Sequence, residues 1–122
     1  MFVYLKRISW ILLLALLACK ELPDLKDFDE ESWQADKMGC NAQRLAAIES
    51  FRMNKEAMMG LSQKQIMQLL GKPDEQNLYR RNQKFYVYYL RSSTCEGVSK
   101  TAERAVSIRF SAIDNVTEIN ID

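Results

Sequence analysis

Apolar residues change their spacing twice along this chain. An apolar run, Ile8 to Ala18, interrupted only by Ser9, follows Lys6 and Arg7, and residues 20–37 are then mostly polar. From Ala42 to Ala57, Leu45, Ile48 and Phe51 recur every third position, and Met58 and Met59 continue the stripe. That spacing predicts one amphipathic helix, with Asn41 as its cap. Gly60 breaks it. Ser62 and Gln65 then stand at capping-box spacing before a two-turn helix whose Ile66, Leu69 and Leu70 share a face. Gly71 suits the left-handed position past its end, and Pro73 bars continuation.

After Pro73 the period becomes two. Glu75 to Arg80 reads as a weak strand and Arg81-Asn82-Gln83 as a turn. Lys84 to Arg91, "KFYVYYLR", reads as a strong strand of aromatic and β-branched residues. A polar loop from Ser92 to Thr101 precedes Glu103 to Phe110, where Val106, Ile108 and Phe110 alternate onto one face. Asp114-Asn115 makes a turn, and Val116 to Ile121 a last strand with Ile119 and Ile121 on one side. The expected fold is α+β: two N-terminal helices packed on one face of a three- to four-stranded antiparallel meander, with the other face open.

The apolar run is too short for a membrane span, which needs roughly 20 apolar residues. A basic start, a short apolar stretch and a small residue before a break describe a secretory signal over residues 1–18. An uncleaved signal anchor is the alternative. Leu16-Leu17-Ala18-Cys19 resembles the lipobox of bacterial lipoproteins, although Leu17 stands where a smaller residue is usual. The resemblance implies acylation of Cys19 after cleavage before it. Two or three acyl chains hold a protein on a bilayer far better than one.

Removing Lys6 and Arg7 takes 17 basic residues to 15 against 16 acidic ones, which is no nucleic-acid footprint. Residues 19–37 carry seven acids and three bases, with Pro23 and few apolar side chains, and read as an extended acidic tether. Trp33 is the exception, expected to dock on the domain that spans residues 38–122. Cys40 and Cys95 form an even pair in an exported small domain. That favours a disulfide, with two free thiols as the alternative.

Gly60-Leu61-Ser62, Gln65-Ile66 and Leu69-Leu70-Gly71-Lys72-Pro73-Asp74, set in the order helix, helix, strands, resemble the SmpA/OmlA family of small outer-membrane lipoproteins. The family's pattern is Gly-Met-Thr, then glutamine or glutamate with an aliphatic, then Leu-Gly-x-Pro; Leu61 and Ser62 stand at its Met-Thr pair. "KFYVYYLR" is similar to its aromatic central strand, and "VSIRF" with "DNVTEINI" to its closing hairpin. The resemblance covers about residues 58–122. It implies a lipid-anchored outer-membrane protein whose partner is a component of the β-barrel assembly machine. The long first helix, the acidic tether and the cysteine pair depart from the pattern. β-Lactamase inhibitor proteins reuse the same helix–turn–strand corner, which gives a second expectation: inhibition of a periplasmic or extracellular enzyme.

Candidate chemistry is sparse. The chain has no histidine, so Ser-His-Asp and Cys-His pairs and histidine metal ligands are excluded. Asp74 and Glu75 are neighbours on a strand and point to opposite faces, a poor acid/base pair. Met53, Met58 and Met59 invite a copper(I) reading but fit core filler better. No enzyme activity, cofactor or metal is expected. Arg80, Arg81 and Lys84 cluster at a hairpin tip, either a solvated turn or a contact for an acidic partner or lipid phosphate. On the aromatic strand, Phe85, Val87 and Tyr89 are assigned to the helix side as the more apolar set. Tyr86, Tyr88 and Leu90, joined by Tyr79 and Arg109, are then left on the open face, where tyrosine and arginine serve binding. The tether, through Trp33 or Phe28, is the alternative cover for that face. The leading expectation is a monomeric, lipid-anchored, non-catalytic scaffold accessory to outer-membrane protein assembly or envelope integrity. A lipid or small-ligand carrier is a third reading and needs a cavity between helices and sheet.

Overall fold

The computed structural model describes residues 22–122; the expected leader, its lipobox and Cys19 lie outside the described residues. The fold is α+β, and among the described residues five α-helices precede a four-stranded antiparallel sheet. The strands β1 (Glu75–Tyr79), β2 (Gln83–Arg91), β3 (Arg104–Phe110) and β4 (Val116–Ile121) follow one another across the sheet in chain order. Each lies within about a residue of its sequence-derived bounds. Among the described residues no helix is long and apolar enough to cross a membrane.

The expected single helix over 42–57 is instead three short pieces, α2 (Gln43–Ala46), α3 (Ile48–Met53) and α4 (Lys55–Met58). The breaks fall at Ala47 (φ −90°, ψ 4°) and Asn54 (φ −98°, ψ 4°). Asn54 has a reason to break the run. Its amide donates to the carbonyls of Ser50 and Lys26, and its Oδ1 accepts from the Lys26 N–H at 3.0 Å. The side chain that interrupts the helix therefore clamps the chain 28 residues earlier. Asn41 is not the cap. Its backbone N–H, like that of Arg44, is donated to the buried carboxylate of Asp36, which supplies the cap from outside the helix.

The segment expected to be a tether is folded onto the body from Lys26 onward. Asp29 caps α1 (Glu30–Ala35), accepting from the Ser32 N–H, and Glu30 and Glu31 occupy the first turn, where the helix dipole favours acids. The acidity that read as disorder is thus partly a helix start. Trp33 is fully buried, stacked on Phe51 with ring centres 4.9 Å apart and planes 7° from parallel. Phe28 packs on both rings. Trp33 docks as expected, but in the core, not on the open sheet face.

The second predicted helix, α5 (Gln63–Leu70), has its capping box. Ser62 Oγ accepts from the Gln65 N–H, and Gln65 Oε1 accepts from the Ser62 N–H at 3.0 Å. Gly71 ends it at φ 78°, its N–H returned to the Met67 carbonyl. Ile66, Leu69 and Leu70 join Trp33, Phe51 and Met58 in one core with the inward residues of β2 to β4.

The Cys40–Cys95 disulfide is formed and closes a sequence separation of 55. It lies where a turn, Lys37–Gly39, crosses the end of β2, and the Ser92 N–H donates to the Met38 carbonyl there. Gly39 sits at φ 67° directly against β2; a Cβ on it would collide with the Leu90 carbonyl group. Only glycine fits both the dihedral and the approach.

Candidate functional site

The sheet's two faces are the reverse of the sequence assignment. Tyr86, Tyr88 and Leu90 are buried in the core, and Phe85, Val87 and Tyr89 lie on the other face. Cross-strand register explains it. Tyr86 stands opposite Ile108 and Tyr88 opposite Val106, so both join the apolar face of β3. Their hydroxyls reach polar groups across the core: Tyr86 donates to Gln63 Oε1 and Tyr88 to the Gly71 carbonyl, each at 2.8 Å. A tyrosine whose tip finds an acceptor is a good core residue. Burial pushes both phenols above the usual tyrosine range.

The outer face collects a different set. Register places Glu75, Asn77 and Tyr79 of β1 beside Val87, Phe85 and Gln83 of β2. Ser107 and Arg109 of β3 stand beside Val87 and Phe85, and Glu118 of β4 beside Arg109. Tyr79 meets Phe85 edge to face, ring centres 5.7 Å apart. Tyr89 donates to Glu75 Oε1 at 2.7 Å, and that hydrogen bond is the main cause that holds its phenol at about 12. Arg109 pairs with Glu118 at 3.3 Å and leaves its Nε without a hydrogen-bond partner. An apolar and aromatic strip, Tyr79–Phe85–Val87–Tyr89, is therefore flanked by one arginine and two carboxylates on a rigid sheet.

Of the residues expected at a partner surface, the structure brings Tyr79 and Arg109 onto this face. It sends Tyr86, Tyr88 and Leu90 inside. Arg80 and Arg81 lie in the turn Arg80–Asn82 at the tip of the β1–β2 hairpin, where Arg81 and Asn82 both adopt positive φ. Lys84 and Leu78 face each other across the same tip, both exposed. Phe85, Val87 and Tyr89 were missed; the signal that finds them is the pairing of β2 with the unambiguous alternation of β3.

The remaining candidates fall into structural places. Asp74 accepts from Arg44 at 2.6 Å and from the N–H groups of Met38 and Tyr89 at 3.1 and 2.7 Å, so its carboxylate is engaged in holding the corner before β1. Met58 is buried in the core and Met53 is exposed. Among the described residues no group of three or more acids or cysteines is placed to hold a metal. An open groove of about 650 Å³ lies beside the disulfide, lined by Gly39, Cys40, Leu45, Leu90, Cys95 and Val98 among others. Its lining comes from the turn Lys37–Gly39, from Leu45 of α2, from Leu90 and Arg91 at the end of β2, and from the loop after β2. No protein-family profile, curated protein or solved structure matches the chain.

Proposed function

We propose that this chain is a monomeric, lipid-anchored, non-catalytic binding protein of the bacterial envelope, similar to the SmpA/OmlA lipoproteins, with an accessory role in outer-membrane β-barrel assembly or envelope integrity. The observation that carries the binding reading is the outer sheet face, where exposed Tyr79 and half-buried Phe85 and Tyr89 surround a buried Val87 on a layer whose opposite side is occupied by the core. Helices cover one face of the meander and leave the other for a partner. Tyrosine and arginine on a rigid surface give contact area at low entropic cost. The lipobox-like Leu16-Leu17-Ala18-Cys19 supports the anchor. The capped helix, Gly71 turn and following strand support the family likeness. A chain without histidine, with Asp74 tied to Arg44, supports a non-catalytic role.

Two experiments test this. Metabolic labelling with a palmitate analogue should mark the wild-type chain and not Cys19→Ala; equal labelling of both removes the anchor. Crosslinking in intact envelopes should recover a β-barrel assembly component with the wild type and lose it with Phe85→Ser/Tyr89→Ala. Recovery of an enzyme that the chain inhibits would move the reading to the inhibitor class.

A further inference from the structure

We infer that the outer edge of β1 accepts an extended, carboxylate-bearing segment of a partner protein, which adds to the sheet as a fifth strand. β1 is an edge strand, and all five of its residues are exposed. Natural edges are usually protected by shortness, by charged residues (lysine above all) or proline within the strand, by a bulge, or by a covering element. Glu75-Gln76-Asn77-Leu78-Tyr79 contains no lysine or proline, and its pairing with β2 runs in unbroken register.

The cations stand at the two ends. Arg80, Arg81 and Lys84 are exposed at the hairpin tip; Lys37 and Lys72 are exposed by the other end. Among the described residues none of the five forms an ion pair. Shallow grooves run beside the strand at both ends. One of about 230 Å³ is lined by Gln76, Asn77, Leu78 and Lys84, and one of about 270 Å³ by Lys37, Met38, Lys72, Pro73 and Asp74. In the first, Leu78 is 72% exposed, apolar and next to a cation.

This charge pattern selects the occupant. A second copy pairing parallel would set the tip arginines against each other. Pairing antiparallel, it would set them against Lys37 and Lys72. Both arrangements place these cations together, and Glu75, the one acid of β1, is engaged by the Tyr89 hydroxyl on the outer face, so self-association through this edge is disfavoured. A foreign strand with carboxylates near both ends meets cations at both ends, about 17 Å apart at the rise of a five-residue strand. Its backbone completes the unpaired edge, and an apolar side chain covers Leu78. Such strand addition takes affinity from main-chain hydrogen bonds and specificity from the side chains beside them.

The inference concerns the edge, not the outer face, and does not depend on acylation of Cys19. The test uses the full chain, isotopically labelled, titrated with a ten-residue probe peptide of alternating valine and threonine with two glutamates at each end. The expected result is shifted amide resonances at residues 75–79 with slowed hydrogen exchange there. Affinity should fall with added salt and drop at least tenfold in Arg80→Glu/Arg81→Glu, whose exposed positions leave the folded spectrum intact. The same peptide with a central proline pair should not bind. Four results overturn the inference: no shifts at millimolar peptide, shifts confined to Phe85, Tyr89 and Arg109, equal binding of the proline peptide, or binding to phosphatidylglycerol vesicles without any response to peptide.

Discussion

Arg44 and Asp74 meet as a buried ion pair, 2.6 Å between Nη1 and Oδ2, with both side chains almost wholly shielded from solvent. The guanidinium also donates to the carbonyls of Trp33 and Tyr89, and it lies 5.6 and 5.7 Å from the ring centres of Trp33 and Tyr88. One residue thus ties α1, α2, the corner before β1 and the end of β2. Removing one partner of a buried pair typically costs about 3–5 kcal/mol, because the other charge is left uncompensated. Asp74→Ala should fall in that range by urea denaturation. Asp74→Asn should cost less, since its amide oxygen keeps one acceptor for the Met38 or Tyr89 N–H.

The assignment of sheet faces makes a sharp contrast between two neighbouring strands. Tyr88→Ala should destabilise by about 3–5 kcal/mol, the usual cost of truncating a large buried aromatic. Tyr79→Ala, at a residue 60% exposed, should stay within about 0.5 kcal/mol. Thermal melts of the two variants decide it; equal losses would return the faces to their sequence assignment. Tyr88→Phe should cost about 1–2 kcal/mol by orphaning the Gly71 carbonyl.

Tyr89 should titrate late. Its phenol sits at about 12, raised first by its hydrogen bond to Glu75, then by partial burial and neighbouring carboxylates. The unfolded phenol titrates near 10. A folded value above the unfolded one means that the contribution to stability is complete below about pH 10 and is lost as pH rises through about 12. Ultraviolet difference titration of wild type against Tyr89→Phe should isolate this group, and Glu75→Gln should move it downward.

Reduction of Cys40–Cys95 should cost about 4 kcal/mol on the chain-entropy account for a closed loop of this size. Cys40→Ser/Cys95→Ser should melt lower by a corresponding amount and become insensitive to dithiothreitol. Intact mass should show two hydrogen atoms gained on reduction of the wild type.

Much of the fold was legible because its signals are local. The Ser62–Gln65 box, Gly71 and Pro73 define α5 without any tertiary information. The alternation of Val106, Ile108 and Phe110 defines β3 and its buried face. What failed was non-local. Nothing beside Asn54 in sequence announces that its amide holds Lys26, so the break in the first helix was invisible. Asp36 caps α2 from outside the helix. In β2 both faces are aromatic or apolar, and composition favoured the face with valine. What decides is the register of β2 with β3, with acceptors on other parts of the chain for the Tyr86 and Tyr88 hydroxyls. The candidate site moved by one residue for that reason, since a change of parity exchanges every side chain between the faces.

The Asn54 clamp on Lys26 also sets a leash. With the proposed acyl chains on Cys19, seven Cα–Cα steps would separate the acylated residue from Lys26. Fully stretched, they span about 25 Å. A body on the proposed anchor would meet only what stands within one small-protein diameter of the bilayer.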